Sequence, residues 1–119
     1  MHKIYLDHNA TTPVQKEVLD VMLPFYKDKF GNPSSVHSEG REARVSLDEA
    51  RDHVANLVGA KPVEIIFTSG GSESNNLAIL GVTLSLNSTK RHIVTSEVEH
   101  SAILNPLKQL ETLGFHVDY

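Results

Sequence analysis

The chain contains no cysteine in its 119 residues. It can therefore form no disulfide, no thiolate metal site and no thiol nucleophile within these residues. It also lacks an apolar run long enough to cross a bilayer, and its first residues lack the apolar core and the cleavage site of a signal peptide. We therefore expect a cytoplasmic protein with no membrane partner.

An excess of basic residues is also missing. The formal net charge is −4, and acidic residues are mixed with basic ones along the whole chain. A protein that follows a nucleic-acid backbone needs a positive stripe, so we expect no nucleic-acid partner. The length suits one domain or a piece of one, and it is short for a complete α/β enzyme.

The first half of the chain predicts two helices. Thr12 is a candidate N-cap, Pro13 suits the first helical position and Gln15 completes a capping box, which predicts a helix from residue 13 to 25 or a little beyond. Residues 31–35 have turn chemistry. A second helix follows, because apolar residues recur at helical spacing until Gly59. These residues are Ala43, Leu47, Ala50, Val54, Leu57 and Val58.

Beyond Gly59 the pattern changes to strands that alternate with helices. Strands are predicted at residues 65–67, 92–95 and 115–119, with one helix from Ser72 that fades at residues 86–88 and another from Ser101 to Gly114. This alternation is typical of a parallel sheet joined by crossover helices. The fold class is therefore α/β, with N-terminal helices followed by part of a mostly parallel sheet.

Two polar segments follow predicted strands and a third follows the short apolar stretch at residues 4–6, and the carboxyl ends of strands are where open α/β sheets hold their ligands. They are residues 69–74, residues 96–100 and residues 7–12. In the first of them, Gly70 and Gly71 lead into hydroxyl residues that open a helix, which is a way to build a phosphate cradle. The same turn is common for geometric reasons alone. It matches neither a nucleoside-triphosphate loop nor a dinucleotide fingerprint.

His100 directly follows a strand and is a candidate ligand-facing histidine. The alternative is a histidine at the start of a helix that bonds a neighbouring carboxylate. Glu97, Glu99 and His100 have the ligand chemistry of a metal site, but no second histidine stands at a supporting spacing. The other six histidines are scattered and most are expected at the surface, so no metal site is predicted.

Four motifs in register resemble the N-terminal part of a NifS/IscS-like cysteine desulfurase, a member of the class V aminotransferases. They are residues 5–13 (Tyr-Leu-Asp-His-Asn-Ala-Thr-Thr-Pro), 31–37 (Gly-Asn-Pro-Ser-Ser-Val-His), 64–76, which include the Gly-Gly-Ser turn, and 99–100 (Glu-His). The resemblance covers the whole chain. It implies a pyridoxal 5′-phosphate (PLP) enzyme of fold type I. Such an enzyme converts L-cysteine to L-alanine and passes on a persulfide sulfur for iron-sulfur clusters or thiolated cofactors.

The resemblance also implies site residues. Gly71 and Ser72 would hold the cofactor phosphate, with the Ser72 hydroxyl as an extra donor. His100 would stack on the pyridine ring as a cofactor-binding and catalytic residue. The substrate pocket would be lined by the loop residues Asn9, Ala10, Thr11 and Thr12, and by His37, which would approach the active site of a partner subunit.

Other family groups have no match in this chain, namely the Schiff-base lysine, the aspartate on the pyridine nitrogen, the glutamine on the cofactor oxygen and the catalytic cysteine. We therefore expect residues 1–30 to form an N-terminal segment and first helix, and residues 31–119 to form the first part of a PLP-binding large domain. This chain alone should be inactive. The remainder of the enzyme or a second chain, a homodimer partner and a sulfur-acceptor protein would complete the system.

Two alternatives stay open at this stage. Another class V aminotransferase or a selenocysteine lyase would share the phosphate cradle and differ in residues that this chain does not contain. A non-catalytic interaction or assembly fragment would instead expose a sheet edge, and such an edge aggregates unless it is covered.

Overall fold

The computed structural model describes residues 4–85 and 91–119. Two compact units divide the chain, Met1–Ile65 and Ile66–Tyr119. The domain boundary predicted between residues 30 and 31 stays a prediction. None of the helices in the described ranges combines the length and the apolar character that a bilayer crossing requires.

The first unit begins with helix α1, Lys16–Lys27. The predicted start at Pro13 is wrong by three residues, because the N-cap is Gln15, whose backbone is extended (φ −64°, ψ 146°) and whose side chain makes no capping bond. Residues 11–15 have no regular secondary structure, so the predicted capping box is not used. The predicted end is confirmed. Pro24 lies inside the last turn and its carbonyl accepts from the Asp28 amide at 2.8 Å.

Helix α2, Ser38–Val58, ends as predicted at Gly59, which adopts the left-handed conformation (φ 69°). Ala55 is fully buried on this helix, whereas Leu57 is 85% exposed. The apolar stripe predicted for its last turn is therefore wrong at Leu57. The helix packs against a 3₁₀ turn, Pro62–Glu64, and the packing covers one side of the helix.

The turn at residues 31–35 lies directly against the first turn of α2. The Asn32 side chain accepts from the Ser34 amide at 2.9 Å, as expected for turn chemistry. An added Cβ on Gly40 would lie 2.3 Å from the Ser35 carbonyl oxygen, and one on Gly31 would lie 2.2 Å from the Glu39 carbonyl oxygen. Glycine is required at both positions because the two backbones touch.

The second unit contains a helical run, a parallel strand pair and a long helix. The run consists of α3 (Gly71–Asn76), a π-helical segment (Leu77–Gly81) and α4 (Val82–Ser85). Its predicted end at residues 86–88 lies outside the described residues. Strand β1, His92–Val94, pairs in parallel with β2, His116–Asp118, and helix α5, Ser101–Thr112, connects them. The predicted α/β class is confirmed.

The strand predicted at residues 65–67 is not formed in the described part of the chain. The backbone of Ile65 is extended (φ −94°, ψ 123°), but the sheet found in the described residues consists of β1 and β2 and does not include this segment. An apolar run makes a strand only where a partner supplies the ladder hydrogen bonds.

The core of the second unit lies between α5 and the strand pair. Leu107, Leu110 and Val117 are its buried residues, and the half-buried Ile93 and Phe115 pack against them. Helix α5 ends in a Schellman motif, as predicted from its glycine: Gly114 has a φ of 83°, its amide donates to Glu111 O, and the Phe115 amide donates to Leu110 O. This turn directs the chain from α5 into β2.

We predict that Leu110→Ala destabilises the second unit by roughly 2–5 kcal/mol, because it opens a cavity at a fully buried site. Leu57→Ala, at the exposed end of α2, is the matched control and should change the free energy of unfolding by about 0.5 kcal/mol or less. Urea denaturation measures both. Equal effects for the two variants would contradict this placement of the core.

Candidate phosphate-binding turn

The turn at residues 68–74 begins the helical run of the second unit. Gly70 has extended backbone (φ 162°, ψ −176°) and α3 begins at Gly71. Neither glycine lies in the left-handed region, so unusual dihedrals do not account for them. An added Cβ on either residue would meet no atom within 4 Å. The two glycines therefore leave open space beside the first amides of the helix.

Hydroxyl groups hold the carbonyl side of this turn. The hydroxyls of Thr68 and Ser74 lie 2.6 Å apart, and both contact the Gly70 carbonyl oxygen, at 3.3 and 3.2 Å. The Ser74 amide also donates to that oxygen at 3.1 Å. Each hydroxyl has one hydrogen, so when one hydroxyl donates to the other, only the second hydroxyl and the Ser74 amide donate to this carbonyl. These bonds fix the direction in which Gly70 enters the helix.

Glu73 holds the other side of the turn. Its Oε2 accepts hydrogen bonds from the backbone amide and from the hydroxyl of Ser69, both at 2.7 Å. These bonds, the backbone one first, lower the pKa of Glu73 from its ordinary value of 4.5. The carboxylate is therefore ionised at neutral pH, where it also interacts favourably with the positive end of the helix dipole.

Three donors of the turn remain uncommitted. Within residues 4–85 and 91–119, no protein group accepts from the amides of Gly71 and Ser72 or bonds the Ser72 hydroxyl. The helical run continues from Gly71 to Ser85, so its dipole adds positive potential at this end. Free amides, one hydroxyl and open space fit a phosphate group, and the donor set is therefore compatible with the phosphate of PLP.

His100 is the N-cap of α5. Its Nδ1 accepts from the Ala102 amide at 3.0 Å, so the exposed ring carries its proton on Nε2. The structure thus supports a helix-start histidine, although the ring bonds a backbone amide instead of the carboxylate considered from the sequence. The cap fixes the ring plane and leaves Nε2–H as its free polar edge. The catalytic and cofactor-binding roles of His100 stay predictions.

A polar cavity of about 300 Å³ brings the two segments together, since α3 packs against α5. Ser72 lines it on one side, and Ser101, the residue after His100, lines it on the other. The remaining lining residues are Asn76, Ala102, Asn105, Pro106 and Gln109. The open hydroxyl of the turn and the start of α5 therefore share one polar space.

The predicted substrate-pocket residues lie in the first unit. Asn9, Ala10 and Thr11 are exposed, and the amides of Ala10 and Thr11 donate to Asp7 O at 3.1 and 3.4 Å. His37 is the N-cap of α2, and its Nδ1 lies 3.3 Å from the Gly40 amide and 3.0 Å from Glu39 Oε2. The substrate-pocket roles of all four residues stay predictions.

Two features of the second unit were missed from the sequence. The two hydrogen bonds from Ser69 to Glu73, which we call the Glu73 clamp, could have been predicted. An acidic residue in the first helical turn commonly bonds back to the residues before the helix. The second feature is a contact among His92, His116 and Asp118. It had no local signal, because His92 and Asp118 are 26 residues apart.

Comparison with known proteins supports the resemblance. The family profile described as Aminotransferase class-V matches residues 4–119. The chain is 56% identical over 117 residues to "Cysteine desulfurase IscS" of Dictyoglomus turgidum and 50% identical over 119 residues to "Putative cysteine desulfurase IscS 1" of Bacillus subtilis. The two matches include 98% and 100% of this chain but only 30% and 31% of the relatives. The chain therefore spans less than a third of their length.

Solved structures agree with the sequence relatives. A structure titled "NIFS-LIKE PROTEIN" superposes on this chain with a TM-score of 0.92 at 42% identity. The match includes 99% of this chain and 32% of the chain in that structure. A second structure, titled "SspA in complex with cysteine", superposes with a TM-score of 0.87 at 46% identity. The match includes 97% of this chain and 33% of the chain in that structure. The predicted relation to NifS/IscS-like cysteine desulfurases is confirmed.

We predict that the Ser69 amide resonance reports the ionisation of Glu73. The hydrogen bond lowers the pKa of the folded carboxyl below 4.5, so the clamp is intact above that pH and is lost as the pH falls through the lower, folded value. An NMR pH titration should place the Ser69 midpoint below 4.5. Glu73→Gln should abolish the transition and Glu97→Gln should leave it unchanged. A midpoint above 4.5 would refute the clamp.

Proposed function

Because the chain belongs to the class V aminotransferase family, we propose that it supplies the phosphate-binding and ring-facing part of a PLP-dependent cysteine desulfurase. The reaction is the conversion of L-cysteine to L-alanine with transfer of the sulfur as a persulfide. Two observations support this. Relatives with that name match the chain along nearly its whole length, and the turn at residues 68–74 leaves donors open where a phosphate would lie.

The amides of Gly71 and Ser72 and the Ser72 hydroxyl bind the cofactor phosphate in this proposal. Glu73, Thr68 and Ser74 hold the turn in the binding conformation before the ligand arrives, so little order has to be gained on binding. When bound, PLP supplies an electron sink for the bonds broken at the substrate carbon. The protein residues supply binding, orientation and proton handling.

In this proposal His100 would face the cofactor ring, and it holds a proton at Nε2. Its Nδ1 is occupied by the Ala102 amide, so the ring cannot turn over without breaking the cap of α5. A ring held in one orientation is suited to deliver or take a proton at one fixed place. Asn9, Ala10, Thr11 and His37 line the substrate side in this proposal.

The thiol that takes the sulfur lies outside these residues, because the chain has no cysteine. Turnover therefore requires further polypeptide, which also supplies the lysine that links the cofactor. We further propose that the complete enzyme is a cytoplasmic homodimer that passes sulfur to an acceptor protein. The structure titled as a complex with cysteine, similar to this chain along most of its length, supports L-cysteine as the substrate.

The function can be tested in a chimera in which this sequence replaces the corresponding segment of the Dictyoglomus relative. We predict that the chimera binds PLP and, with dithiothreitol present to reduce the persulfide and release its outer sulfur, produces alanine and sulfide from L-cysteine in equal amounts. A folded chimera that binds PLP but ignores cysteine, or that acts on another amino acid, would favour a sister enzyme of the family. A folded chimera without PLP would contradict the proposal.

Two variants of the chimera separate the roles. Ser72→Ala should weaken cofactor retention by roughly 1.5–3 kcal/mol, the size of a charge-assisted hydrogen bond. Ser85→Ala, in the same helical run, is its matched control. His100→Ala should keep the cofactor and lower kcat. Retention of full turnover by His100→Ala would leave the histidine with its capping role alone.

A further inference from the structure

The parallel pairing of β1 and β2 brings three ligand-type side chains to one face of the sheet. His92 pairs with His116 in register, and Asp118 follows two residues later on the same strand. Side chains alternate along a strand, so Ile93 and Val117 point into the core and the three polar residues point the opposite way. The sheet therefore builds this cluster without help from any loop.

The contacts within the cluster are short. His92 Nε2 lies 2.7 Å from Asp118 Oδ2, and His116 Nε2 lies 3.0 Å from Asp118 Oδ1. The two imidazole centroids are 5.1 Å apart, and one ligand atom from each residue lies within 4.8 Å of the others. The side chains are 54%, 73% and 55% exposed, in the order His92, His116 and Asp118, so an ion from solution can reach them.

We propose that His92, His116 and Asp118 bind a divalent first-row transition-metal ion, of which zinc is the representative. Two imidazole nitrogens and one carboxylate oxygen are ligands that zinc prefers, and water would complete four-coordination. Bonds of about 2.0–2.2 Å place neighbouring ligand atoms roughly 3.3 Å apart in a tetrahedral site. Small rotations of exposed side chains reach this from the present distances.

The proton balance of binding is simple. In the present geometry His92 Nε2 donates to the Asp118 carboxylate, and His116 Nε2 lies at ion-pair distance from the other carboxylate oxygen. The hydrogen bond from His92 is the main cause that lowers the pKa of Asp118, so the carboxylate is already ionised near neutral pH. A neutral ring moves its proton from Nε2 to Nδ1 through water when the metal binds, and a charged ring releases one proton to solvent.

The surrounding charges permit a cation. Arg91 is the nearest basic residue in sequence, and its guanidinium is engaged elsewhere, with Nη1 3.1 Å from Leu113 O and the guanidinium carbon 4.9 Å from the Phe115 ring centroid. The ion would link the first residue of β1 to both ends of β2. Its effect would be to fasten the two strands, independently of any cofactor at the turn and independently of the proposed desulfurase function.

The test is a zinc titration of untagged, chelator-treated protein, in the form in which it is isolated, followed by calorimetry. We expect one ion per chain. His116→Gln and Asp118→Asn should each lower the affinity for zinc by at least about tenfold. Loss of a residue that only hydrogen-bonds a metal ligand already costs about tenfold or more, and loss of a ligand should cost at least as much. His53→Gln, an exposed histidine on α2, is the matched control and should bind as the parent does.

Two further measurements keep the test decisive. Asp118→His offers a stronger nitrogen ligand and should raise the affinity for zinc, an outcome that unfolding cannot imitate. In protein labelled with ¹⁵N at its seven histidines, zinc should shift the ring nitrogens of His92 and His116 alone. Shifts at other histidines, unchanged affinity in His116→Gln, or no binding at millimolar zinc would each overturn the site.

Discussion

The two hydrogen bonds from Ser69 to the Glu73 carboxylate are the interaction on which the candidate site depends. A helix that starts after a flexible Gly-Gly pair has many ways to begin, and each would point its first amides differently. The clamp, together with the hydroxyls that converge on the Gly70 carbonyl, selects one of them. The amides of Gly71 and Ser72 then stay open because the side chains that could have bonded them are engaged elsewhere.

Histidine caps add a second constraint of the same kind. His37 is the N-cap of α2 and His100 is the N-cap of α5, and each Nδ1 lies within hydrogen-bonding distance of a backbone amide. Nδ1 of His37 lies closer to Glu39 Oε2, at 3.0 Å, so only His100 has its Nδ1 committed to the amide alone. Histidine is not among the preferred N-cap residues, and Ser, Thr, Asp or Asn would serve the helix alone. A histidine at this position stabilises the helix start and also presents Nε2–H in a fixed direction. Because smaller residues cap a helix well, a histidine at the N-cap of α5 favours a role beyond capping for His100.

The sequence predicted features that depend on local chemistry. Gly59 and Gly114 end their helices because left-handed dihedrals suit glycine, and the helix start after Gly70 followed from the same local pattern. The start of α1 was misplaced because a capping box and a proline at the first helical position permit a helix start without requiring one, and the N-cap lies at Gln15.

Features that depend on distant residues could not be predicted. The apolar segment at residues 65–67 is not part of the sheet in the described ranges, and periodicity carries no information about which strands pair. The cluster of His92, His116 and Asp118 arises only from the register of two strands. The resemblance to a family identified the turn and His100 as a pair, and the structure added a cavity lined by Ser72 and by Ser101, the residue after His100.

The central claim is that open amides at the start of α3 bind the phosphate of a pyridoxal cofactor. The most direct test compares pyridoxine 5′-phosphate with pyridoxine, neither of which carries an aldehyde that could react with surface lysines, by NMR of the backbone amides. The account predicts that the phosphate ester shifts the Gly71 and Ser72 resonances most and that pyridoxine leaves them in place. Equal shifts from both ligands, or shifts confined to other amides, would contradict it.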